Sequence, residues 1–400
     1  MKKAVLAFSG GLDTSYCALY LSREKRLEVH SVLVNTGGFS TEETEAVEQK
    51  AYALGVHKHV TIDLTESFYR DCIRYLIYGN VLRNGVYPLS VSAERVFQAV
   101  AIAEYAREIG ADYVAHGSTG AGNDQVRFDM VFHTLLADTE ILTPIRDSRL
   151  SREEEIAYLK RHGVEQNRQT ARYSINQGLW GTSVGGKETL TSHLPLPEDA
   201  YPTPKTASGE RKLEIRFERG GFAGFDGRTF ASPVQAVREL NALAAPYGIG
   251  RDIHVGDTII GIKGRVGFEA AAPVLLIKAH QALEKHTLGK WQMYWKDQLA
   301  NWYGMMLHEG HYFDPVMRDI ENFLEHSQRT VNGRVFVTLM PNAFRIDGIE
   351  SPNDLMAADF GAYGETNLGW SGEEVRGFAK ILANPTRIWQ SVNGKEKPND

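Results

Sequence analysis

The stretch Ala4-Val5-Leu6-Ala7-Phe8-Ser9-Gly10-Gly11-Leu12-Asp13-Thr14-Ser15 decides the fold of the first part of the chain. Its opening run of apolar residues predicts a short strand that is buried on both faces, as in a parallel sheet. The two glycines that follow allow a tight turn and a close approach of the backbone to a ligand. A helix predicted from Thr14 to Arg23 points its unpaired N–H groups into the same turn. The sequence therefore predicts a phosphate site at this turn.

This turn differs from two common nucleotide-binding loops. It has no lysine after the glycines, as a Walker A loop has, and it lacks the G-x-G-x-x-G pattern of dinucleotide-binding folds. The pattern S-G-G-x-D-[ST] instead resembles the PP-loop of the N-type ATP pyrophosphatases. That resemblance implies a loop that holds the β,γ-pyrophosphate of ATP while a nucleophile attacks the α-phosphorus. The alternative is an ordinary strand-to-helix turn that happens to contain two glycines.

The order of apolar segments predicts three regions. Strands and helices alternate over residues 1–165, which predicts an α/β fold with a doubly wound parallel sheet and a ligand site at the carboxyl ends of its strands. Residues 166–370 predict an α+β domain, in which Thr258 to Ile262 resembles a strand. Residues 371–400 predict a C-terminal helical arm that packs either on another subunit or on its own, because four apolar residues share one helical face: Val375, Phe378, Ala379 and Leu382.

The composition is that of an ordinary globular protein, because 24% of the 400 residues are charged and 42% are hydrophobic. The formal net charge of −6 gives no basic footprint for nucleic acid. The two cysteines, Cys17 and Cys72, fall in segments predicted as helical, which fits a reducing compartment rather than a disulfide framework. The sequence shows neither a signal-peptide pattern nor an apolar run of membrane-spanning length. We expect a cytoplasmic protein that binds neither nucleic acid nor membrane.

A second glycine-rich turn follows the strand predicted at Tyr113 to Ala115. Residues 116–128 read HGSTGAGNDQVRF, which places an amide, a carboxylate and a guanidinium within five residues. Asp124 can pair with an ammonium group, and Arg127 can bind a carboxylate or a polarised carbonyl oxygen. Such a turn suits a polar substrate that carries both ammonium and carboxylate groups. The alternative is an exposed loop built from turn-forming residues.

Together, the two turns resemble those of the argininosuccinate synthase family, and the likeness extends over nearly the whole chain. The resemblance implies a two-step carbon–nitrogen ligation. The ureido oxygen of citrulline attacks the α-phosphorus of ATP, which releases pyrophosphate and leaves a citrullyl-adenylate, and the amine of aspartate then displaces AMP. The resemblance also implies that Mg²⁺ arrives with the nucleotide, that the second domain is a synthetase domain, and that the protein is a homotetramer. The sequence suggests no dedicated metal site.

The resemblance also assigns site residues. The catalytic candidates are Asp13, Asp124 and Arg127. The implied ATP contacts are Ala7, Phe8, Ser9, Gly10, Gly11, Leu12, Asp13, Thr14, Ser15, Val34 and Gly117. The implied aspartate contacts are Thr119, Asn123 and Asp124. The implied citrulline contacts are Tyr87 and Ser92, both expected in a loop before a helix at Ala93, together with Asn123, Arg127, Ser174 and Ser183.

The chain departs from the family pattern in its second domain. The family offers citrulline a glutamate and a tyrosine twelve residues apart, where this chain has Gly256 and Phe268. A one-residue shift places Asp257 at the glutamate position, so Asp257 and Phe268 complete the set of citrulline contacts. Ala121 stands where a lysine is common, and Asn35 where an aspartate is. Loss of a carboxylate that pairs with an α-ammonium removes roughly 1.5–3 kcal/mol. Two hypotheses follow: the substrate is an N-acylated citrulline, or Asp257 compensates and the substrate is citrulline.

Two other functions fit the sequence less well. A PP-loop enzyme that adenylates a tRNA base needs a basic surface or a metal-binding appendage, and the sequence shows neither. A non-catalytic nucleotide sensor is disfavoured, because the polar residues of both turns are present: Ser9, Asp13, Asn123, Asp124 and Arg127. The segment His308-Glu309-Gly310-His311 lacks the H-E-x-x-H pattern of zinc enzymes, so we expect a pair of loop histidines there.

Overall fold

The computed structural model describes residues 1–164, 172–358 and 369–394. Met1–Asn353 form one compact unit, and Asp354–Asp400 form a second. The described part of the first unit contains a parallel sheet, two antiparallel sheets and the helices that cover them.

The first part of this unit has the predicted doubly wound parallel sheet. Its five strands are β1 (Lys3–Ala7), β2 (Glu28–Asn35), β3 (Lys58–Asp63), β4 (Tyr113–Ala115) and β5 (Glu140–Leu142). Their order is β3-β2-β1-β4-β5, so the winding reverses beside β1. The two glycine-rich turns follow β1 and β4, which are neighbours. Both turns therefore lie at the carboxyl edge of the sheet, at the switch point where such folds bind ligands.

Eight α-helices accompany this sheet in the described residues: α1 (Leu12–Arg23), α2 (Thr41–Ala53), α3 (Thr65–Phe68), α4 (Arg74–Tyr78), α5 (Ser90–Glu108), α6 (Asp124–Leu135), α7 (Pro144–Ser148) and α8 (Arg152–Arg161). A π-helical turn, Tyr69–Ile73, joins α3 to α4. Two boundaries correct the sequence-based expectation. Helix α1 begins at Leu12 rather than Thr14, and α5 begins at Ser90, so Ser92 lies in a helix and not in the preceding loop.

The rest of the first unit is built from antiparallel strands and helices: β6 (Ser174–Gly178), β7 (Gly181–Gly185), β8 (Arg211–Glu218), β9 (Gly221–Phe225), α9 (Pro233–Ala244), β10 (Arg251–Asp257), β11 (Lys263–Glu269), α10 (Ala271–Thr287), α11 (Lys290–Glu309), α12 (Pro315–Ser327), β12 (Gly333–Met340) and β13 (Ala343–Glu350). One sheet has the order β10-β11-β7-β6 and the other β13-β12-β8-β9. Short 3₁₀-helices lie at Lys187–Leu190, Glu198–Ala200, Ala245–Tyr247 and Gln328–Thr330.

The prediction of a strand at Thr258 to Ile262 is wrong. Asp257 pairs with Lys263 at the end of the β10–β11 hairpin, so the residues between them form its turn. The N–H of Thr258 donates to the carbonyl oxygen of Ile262 at 2.8 Å, and Gly261 has a φ of +85°. The apolar character of this segment therefore reflects a hydrophobic turn and not a buried strand.

Alternate residues of β1 pack into two different clusters of buried side chains. Val5 belongs to a large core that also includes Ile215 of β8, Leu276 of α10 and Val337 of β12. Leu6 belongs to a smaller core with residues of α1 such as Leu19. Strand β1 is therefore buried on both faces, as predicted, and the large core joins the parallel sheet to the second part of the unit.

The described part of the second unit contains two α-helices, α13 (Gly372–Leu382) and α14 (Asn384–Asn393), and a 3₁₀-helix at Leu355–Ala357. Ser371 and Glu374 form a capping box at the start of α13. The helical segment expected here is confirmed. Residues 395–400 of the predicted arm lie outside the described residues.

Candidate active site

A cavity of 960 Å³ opens at the carboxyl edge of the parallel sheet, where the two glycine-rich turns meet. Its walls come from both parts of the first unit, including α5, α6, α11 and the β6–β7 and β10–β11 hairpins. Most site residues expected from the sequence line it: Ala7, Phe8, Ser9, Gly11, Leu12, Asp13, Thr14, Val34, Tyr87, Ser92, Gly117, Thr119, Asn123, Asp124, Arg127, Ser174, Ser183 and Asp257. Gly10, Ser15 and Phe268 do not reach the cavity wall.

The first glycine-rich turn presents backbone N–H groups to this cavity. Gly10 has a φ of +74°, and Gly11 is the N-cap of α1 without a capping side chain among the described residues. The N–H groups in the first turn of α1 are therefore available to phosphate oxygens. Ser15 is buried, and its hydroxyl donates to the carbonyl oxygen of Gly11 at 2.6 Å. Gly10 and Ser15 thus shape the turn instead of lining the cavity.

The carboxylate of Asp13 lies beside a second acidic side chain, the buried Glu155 of α8. Burial, followed by the charge of Asp13 and a hydrogen bond between the two carboxyl groups, raises the pKa of Glu155 to about 8. The Oε2 atom of Glu155 is buried and has no hydrogen-bond partner in the described part of the chain. Glu155 is therefore mostly protonated at neutral pH. Two carboxyl groups so arranged offer oxygen ligands of the kind that Mg²⁺ prefers.

The second glycine-rich turn packs directly against the first. A Cβ atom on Gly117 would lie 3.2 Å from the carbonyl carbon of Asp13, so a side chain here would push the two turns apart by a few tenths of an ångström. His116 braces the turn: its Nδ1 accepts from the N–H of Ser118 at 3.2 Å, and its Nε2 lies 2.9 Å from Asp129 Oδ1. The phosphate-binding turn and the polar residues that follow Gly117 therefore share one wall.

Asp124 and Arg127 lie in the first turn of α6. Asp124 Oδ1 accepts from a terminal nitrogen of Arg127 at 2.8 Å, and Asp124 Oδ2 accepts from Arg95 Nε at 3.0 Å. Burial alone raises the pKa of Asp124, but the two guanidinium groups outweigh it and the net pKa is lowered. Asp124 is thus an ionised carboxylate held between two arginines.

Arg127 also reaches α11. Its Nε donates to the carbonyl oxygen of His308 at 2.8 Å, and a terminal nitrogen lies 3.3 Å from His308 Nδ1. Ser92 Oγ lies 3.1 Å from the same Nδ1. Burial, reinforced by Arg127 and other cationic neighbours, lowers the pKa of His308 to about 2, so the imidazole is neutral. Because a guanidinium can only donate, Nδ1 is the acceptor and the imidazole hydrogen resides on Nε2.

The antiparallel hairpins close the cavity. Ser174 and Ser183 line it from β6 and β7, as expected. The ring of Tyr87 stacks on His254 of β10, with 5.1 Å between ring centroids. Phe268, at 5.4 Å from the Tyr87 ring, is fully buried, so it supports Tyr87 and does not contact the cavity.

Asp257 lines the rim of the cavity, but Lys263 Nζ binds its carboxylate at 2.7 Å and both side chains are largely exposed. The turn that follows is fastened to the second glycine-rich turn, because the N–H of Ile259 donates to Asn123 Oδ1 at 2.8 Å.

Comparison with known proteins assigns the family. Residues 3–165 match the Arginosuccinate synthase N-terminal HUP domain, and residues 173–389 match the Arginosuccinate synthase C-terminal domain. The chain belongs to the argininosuccinate synthase family. It is 37% identical to the argininosuccinate synthase of Methanocaldococcus jannaschii, over 94% of this chain and 95% of that protein. The argininosuccinate synthase of Dictyoglomus thermophilum is also 37% identical, over 98% of each chain, and that of Xanthomonas campestris is 36% identical, over 98% of this chain and 99% of its own.

The resemblance seen in the two turns is therefore confirmed, and so is the expectation of an enzyme, since argininosuccinate synthases are ligases. Among the described residues, no helix has both the length and the apolar character needed to cross a bilayer.

Four residues of this argininosuccinate synthase-family site were missed from the sequence: Arg95, Asn176, His254 and His308. Arg95 follows Ser92 by one helical turn, a spacing that could have revealed it. Asn176 Oδ1 accepts from Arg95 at 2.9 Å. The expectation of two loop histidines at 308 and 311 is wrong for His308, which lies in the last turn of α11 and is buried.

The described residues contain one group of three side chains that could jointly hold a metal ion, and it lies outside the cavity. Glu28 Oε1 is 3.1 Å from His30 Nε2 and 3.9 Å from His57 Nε2. The group lies at the amino end of β2, the opposite edge of the sheet. His30 Nδ1 is also 2.9 Å from the hydroxyl of Tyr105, so ordinary hydrogen bonds account for this arrangement.

Proposed function

We propose that the protein joins citrulline to aspartate with consumption of ATP and forms argininosuccinate. The ureido oxygen of citrulline attacks the α-phosphorus of ATP, the bond from that phosphorus to pyrophosphate breaks, and pyrophosphate leaves with the electron pair. The amine of aspartate then attacks the ureido carbon of the citrullyl-adenylate and releases a proton. The carbon–oxygen bond to the phosphate breaks, and AMP leaves.

The observation that carries this proposal is the convergence of two glycine-rich turns on one cavity. The turn at Gly10 and Gly11 offers backbone donors for phosphate, and the turn at Gly117 places Asn123 to Arg127 beside it. Small-molecule sites commonly measure about 300–1,000 Å³, so a cavity of 960 Å³ suits more than one substrate. The relatives that share this chain's full length are named argininosuccinate synthases, which supports the same reaction.

In the proposed reaction the first turn binds the pyrophosphate of ATP. Asp13 lines the cavity beside this turn, and its carboxylate is suited to hold Mg²⁺ that arrives with the nucleotide. Mg²⁺ held there would neutralise phosphate charge. The N–H groups at the start of α1 orient the leaving pyrophosphate, which favours in-line attack at the α-phosphorus.

A neutral ureido oxygen is a poor nucleophile, so alignment contributes more here than a strong base. Arg127 is fixed by three contacts, one to Asp124 and two to atoms of His308. Its guanidinium is suited to bind a carboxylate or carbonyl oxygen of citrulline. Asp124 is ionised and is suited to pair with the amine of aspartate. Thr119 and Asn123 lie on the same wall and complete the proposed aspartate contacts.

We also propose that the protein acts as a homotetramer in the cytoplasm. Three tryptophans of α11 are more than half exposed on this chain: Trp291, Trp295 and Trp302. Such a face fits burial in an assembly. Both cysteines are buried and unbonded, which fits a reducing compartment.

The test uses citrulline that carries ¹⁸O in its ureido group, with ATP, aspartate and the full-length protein. The proposed route leaves this oxygen on the α-phosphorus, so we expect labelled AMP, pyrophosphate and argininosuccinate by mass spectrometry. Unlabelled AMP, or ADP in its place, would contradict the route. Pyrophosphate release that requires RNA instead of citrulline would favour the tRNA-adenylating alternative, and binding of ATP without any release would favour a sensor.

A further inference from the structure

One part of the cavity is lined by His254 of β10, Gly256 of the same strand and His308 of α11, and we call it the histidine end. Two proposed citrulline contacts border it. Tyr87 stacks on His254, and Ser92 Oγ lies 3.1 Å from His308 Nδ1. Because these contacts adjoin the two imidazoles, a group attached to citrulline beside Tyr87 and Ser92 would lie within reach of them.

Both imidazoles present a buried nitrogen without a partner. His308 Nε2 and His254 Nδ1 have no hydrogen-bond partner in the described part of the chain, and the two side chains belong to residues that are 5% and 6% exposed. Because Nδ1 of His308 accepts from Arg127, its Nε2 carries hydrogen and requires an oxygen acceptor. Burial, with Arg83 nearby, lowers the pKa of His254 to about 4, so this ring is neutral as well.

Among the described residues, no unpaired carboxylate lines the cavity at the histidine end, although the exposed Asp252 of β10 acts on His254 from outside the lining. Asp124 is bound by Arg95 and Arg127, and the carboxylate of Asp257 is bound by Lys263. The nearest fixed charges are guanidinium groups, since Arg127 contacts His308. The α-ammonium of free citrulline would therefore meet the N–H donor of His308 and a nearby cation, whereas the carbonyl oxygen of an uncharged amide would accept from that donor.

The shape of the wall agrees with its charge. A Cβ atom on Gly256 would lie 2.7 Å from His254 Nε2, so the His254 ring occupies the space into which a side chain at position 256 would extend. A side chain at 256 would therefore require the His254 ring to move, and with this ring in place the wall at position 256 consists of backbone and imidazole.

Resting on the proposed function, we infer that the preferred ureido substrate is a citrulline whose α-nitrogen carries an acyl group, with the acyl carbonyl oxygen accepting from His308 Nε2. Attack by the ureido oxygen and displacement by aspartate proceed as proposed above, and the product is the corresponding N-acyl-argininosuccinate.

The experiment compares citrulline, N-acetylcitrulline and N-succinylcitrulline with the full-length protein, ATP and aspartate. Pyrophosphate release and product mass are both measured. We expect at least one acylated compound to have a kcat/KM about tenfold or more above that of citrulline, the size expected when one hydrogen bond is gained and one unpaired charge is avoided. An equal or higher kcat/KM for citrulline would overturn this inference and leave the proposed function intact. Absence of release with every ureido compound would overturn the proposed function itself.

Two variants of His308 separate recognition from folding. In His308→Asn the amide oxygen can replace Nδ1 as acceptor for Arg127, but nothing replaces Nε2, so the preference for the acylated compound should fall to near unity. In His308→Gln the amide nitrogen can replace Nε2, so the preference should be largely kept. Equal preferences in the two variants would contradict the assigned contact. A third variant, His254→Ala with Gly256→Glu, opens space for a carboxylate and should lower KM for citrulline.

Discussion

The Nε atom of Arg127 donates to the carbonyl oxygen of His308 at 2.8 Å, across 181 positions of sequence. This contact joins α6 of the parallel-sheet region to α11 of the second region inside one cavity. It fixes the guanidinium in a single orientation, because another nitrogen of Arg127 binds Asp124 at 2.8 Å. The two regions therefore depend on each other for the geometry of the proposed citrulline site.

Substitution of Arg127 by Lys should show this dependence. A lysine keeps the charge but cannot reach Asp124 and His308 together. Loss of one charge-assisted hydrogen bond costs roughly 1.5–3 kcal/mol, so kcat/KM for the ureido substrate should fall about 10- to 100-fold. Arg146→Lys is the matched control, since Arg146 pairs with Asp129 at 2.6 Å and does not line the cavity. Similar losses in both variants would show that the effect is not specific to the site.

A second prediction concerns Gly10 in the first glycine-rich turn. Alanine there must adopt a φ of +74°, and its Cβ would lie 3.3 Å from Val47 Cγ2. We expect Gly10→Ala to lose about 1–3 kcal/mol of unfolding free energy and to raise KM for ATP more than KM for aspartate. Gly289→Ala is the control, because Gly289 has a φ of −71° and open space around it. Unchanged ATP affinity in Gly10→Ala would show that this turn does not contribute to ATP binding.

The fold of the parallel-sheet region could be predicted from local sequence alone. Strand β1 is short and apolar, each glycine-rich turn follows its strand directly, and the capping boxes at Ser40 and Ser151 mark helix starts within four residues. These signals need no long-range information. The polar residues of the two turns could likewise be placed in one cavity, because adjacent parallel strands end at the same edge of a sheet.

The remaining part of the site depends on packing between distant segments. His308 lies in the last turn of α11, a helix whose sequence pattern is dominated by tryptophans. Its contact with Arg127 depends on the tertiary fold and cannot be seen in the local sequence. The apolar pattern at 258–262 predicts a strand, but these residues form a turn in which Ile260 and Ile262 are 44% and 61% exposed. Apolar periodicity reports a tendency to be buried, but it does not show whether a partner surface is present.

The pairing of Glu155 with Asp13 makes stability depend on pH. The pKa of Glu155 is about 8 in the folded protein and 4.5 ordinarily, so the folded state binds this proton more tightly. The resulting stabilisation is complete below about pH 4.5 and is lost as pH rises through 8. Glu155→Gln cannot lose a proton, so its stability relative to wild type should grow from pH 5 to pH 8. One pKa unit corresponds to about 1.4 kcal/mol, and we expect a gain of at least about 1 kcal/mol.

Urea unfolding of both proteins without nucleotide, at several pH values, measures this gain. Glu153→Gln is the control, because Glu153 is exposed in the same turn of α8. Parallel stability curves for wild type and Glu155→Gln would show that the pKa of Glu155 is not raised in the folded protein.

The hydrogen bond from the N–H of Ile259 to Asn123 Oδ1 gives the last prediction. It is the contact that ties the β10–β11 turn to the second glycine-rich turn, and a neutral hydrogen bond contributes about 0.5–1.5 kcal/mol. In the protein without substrates, Asn123→Ala should therefore raise the hydrogen-exchange rate of the Ile259 amide roughly 2- to 10-fold. Asn123→Asp keeps an acceptor oxygen and should leave the rate near that of wild type. The Gly261 amide, which donates to Thr258 within the turn at 2.9 Å, serves as an internal reference. If Ile259 and Gly261 change together, the turn opens as a unit and Asn123 holds all of it. If neither changes, the turn is held by other contacts and Asn123 is left to its proposed role in binding substrates.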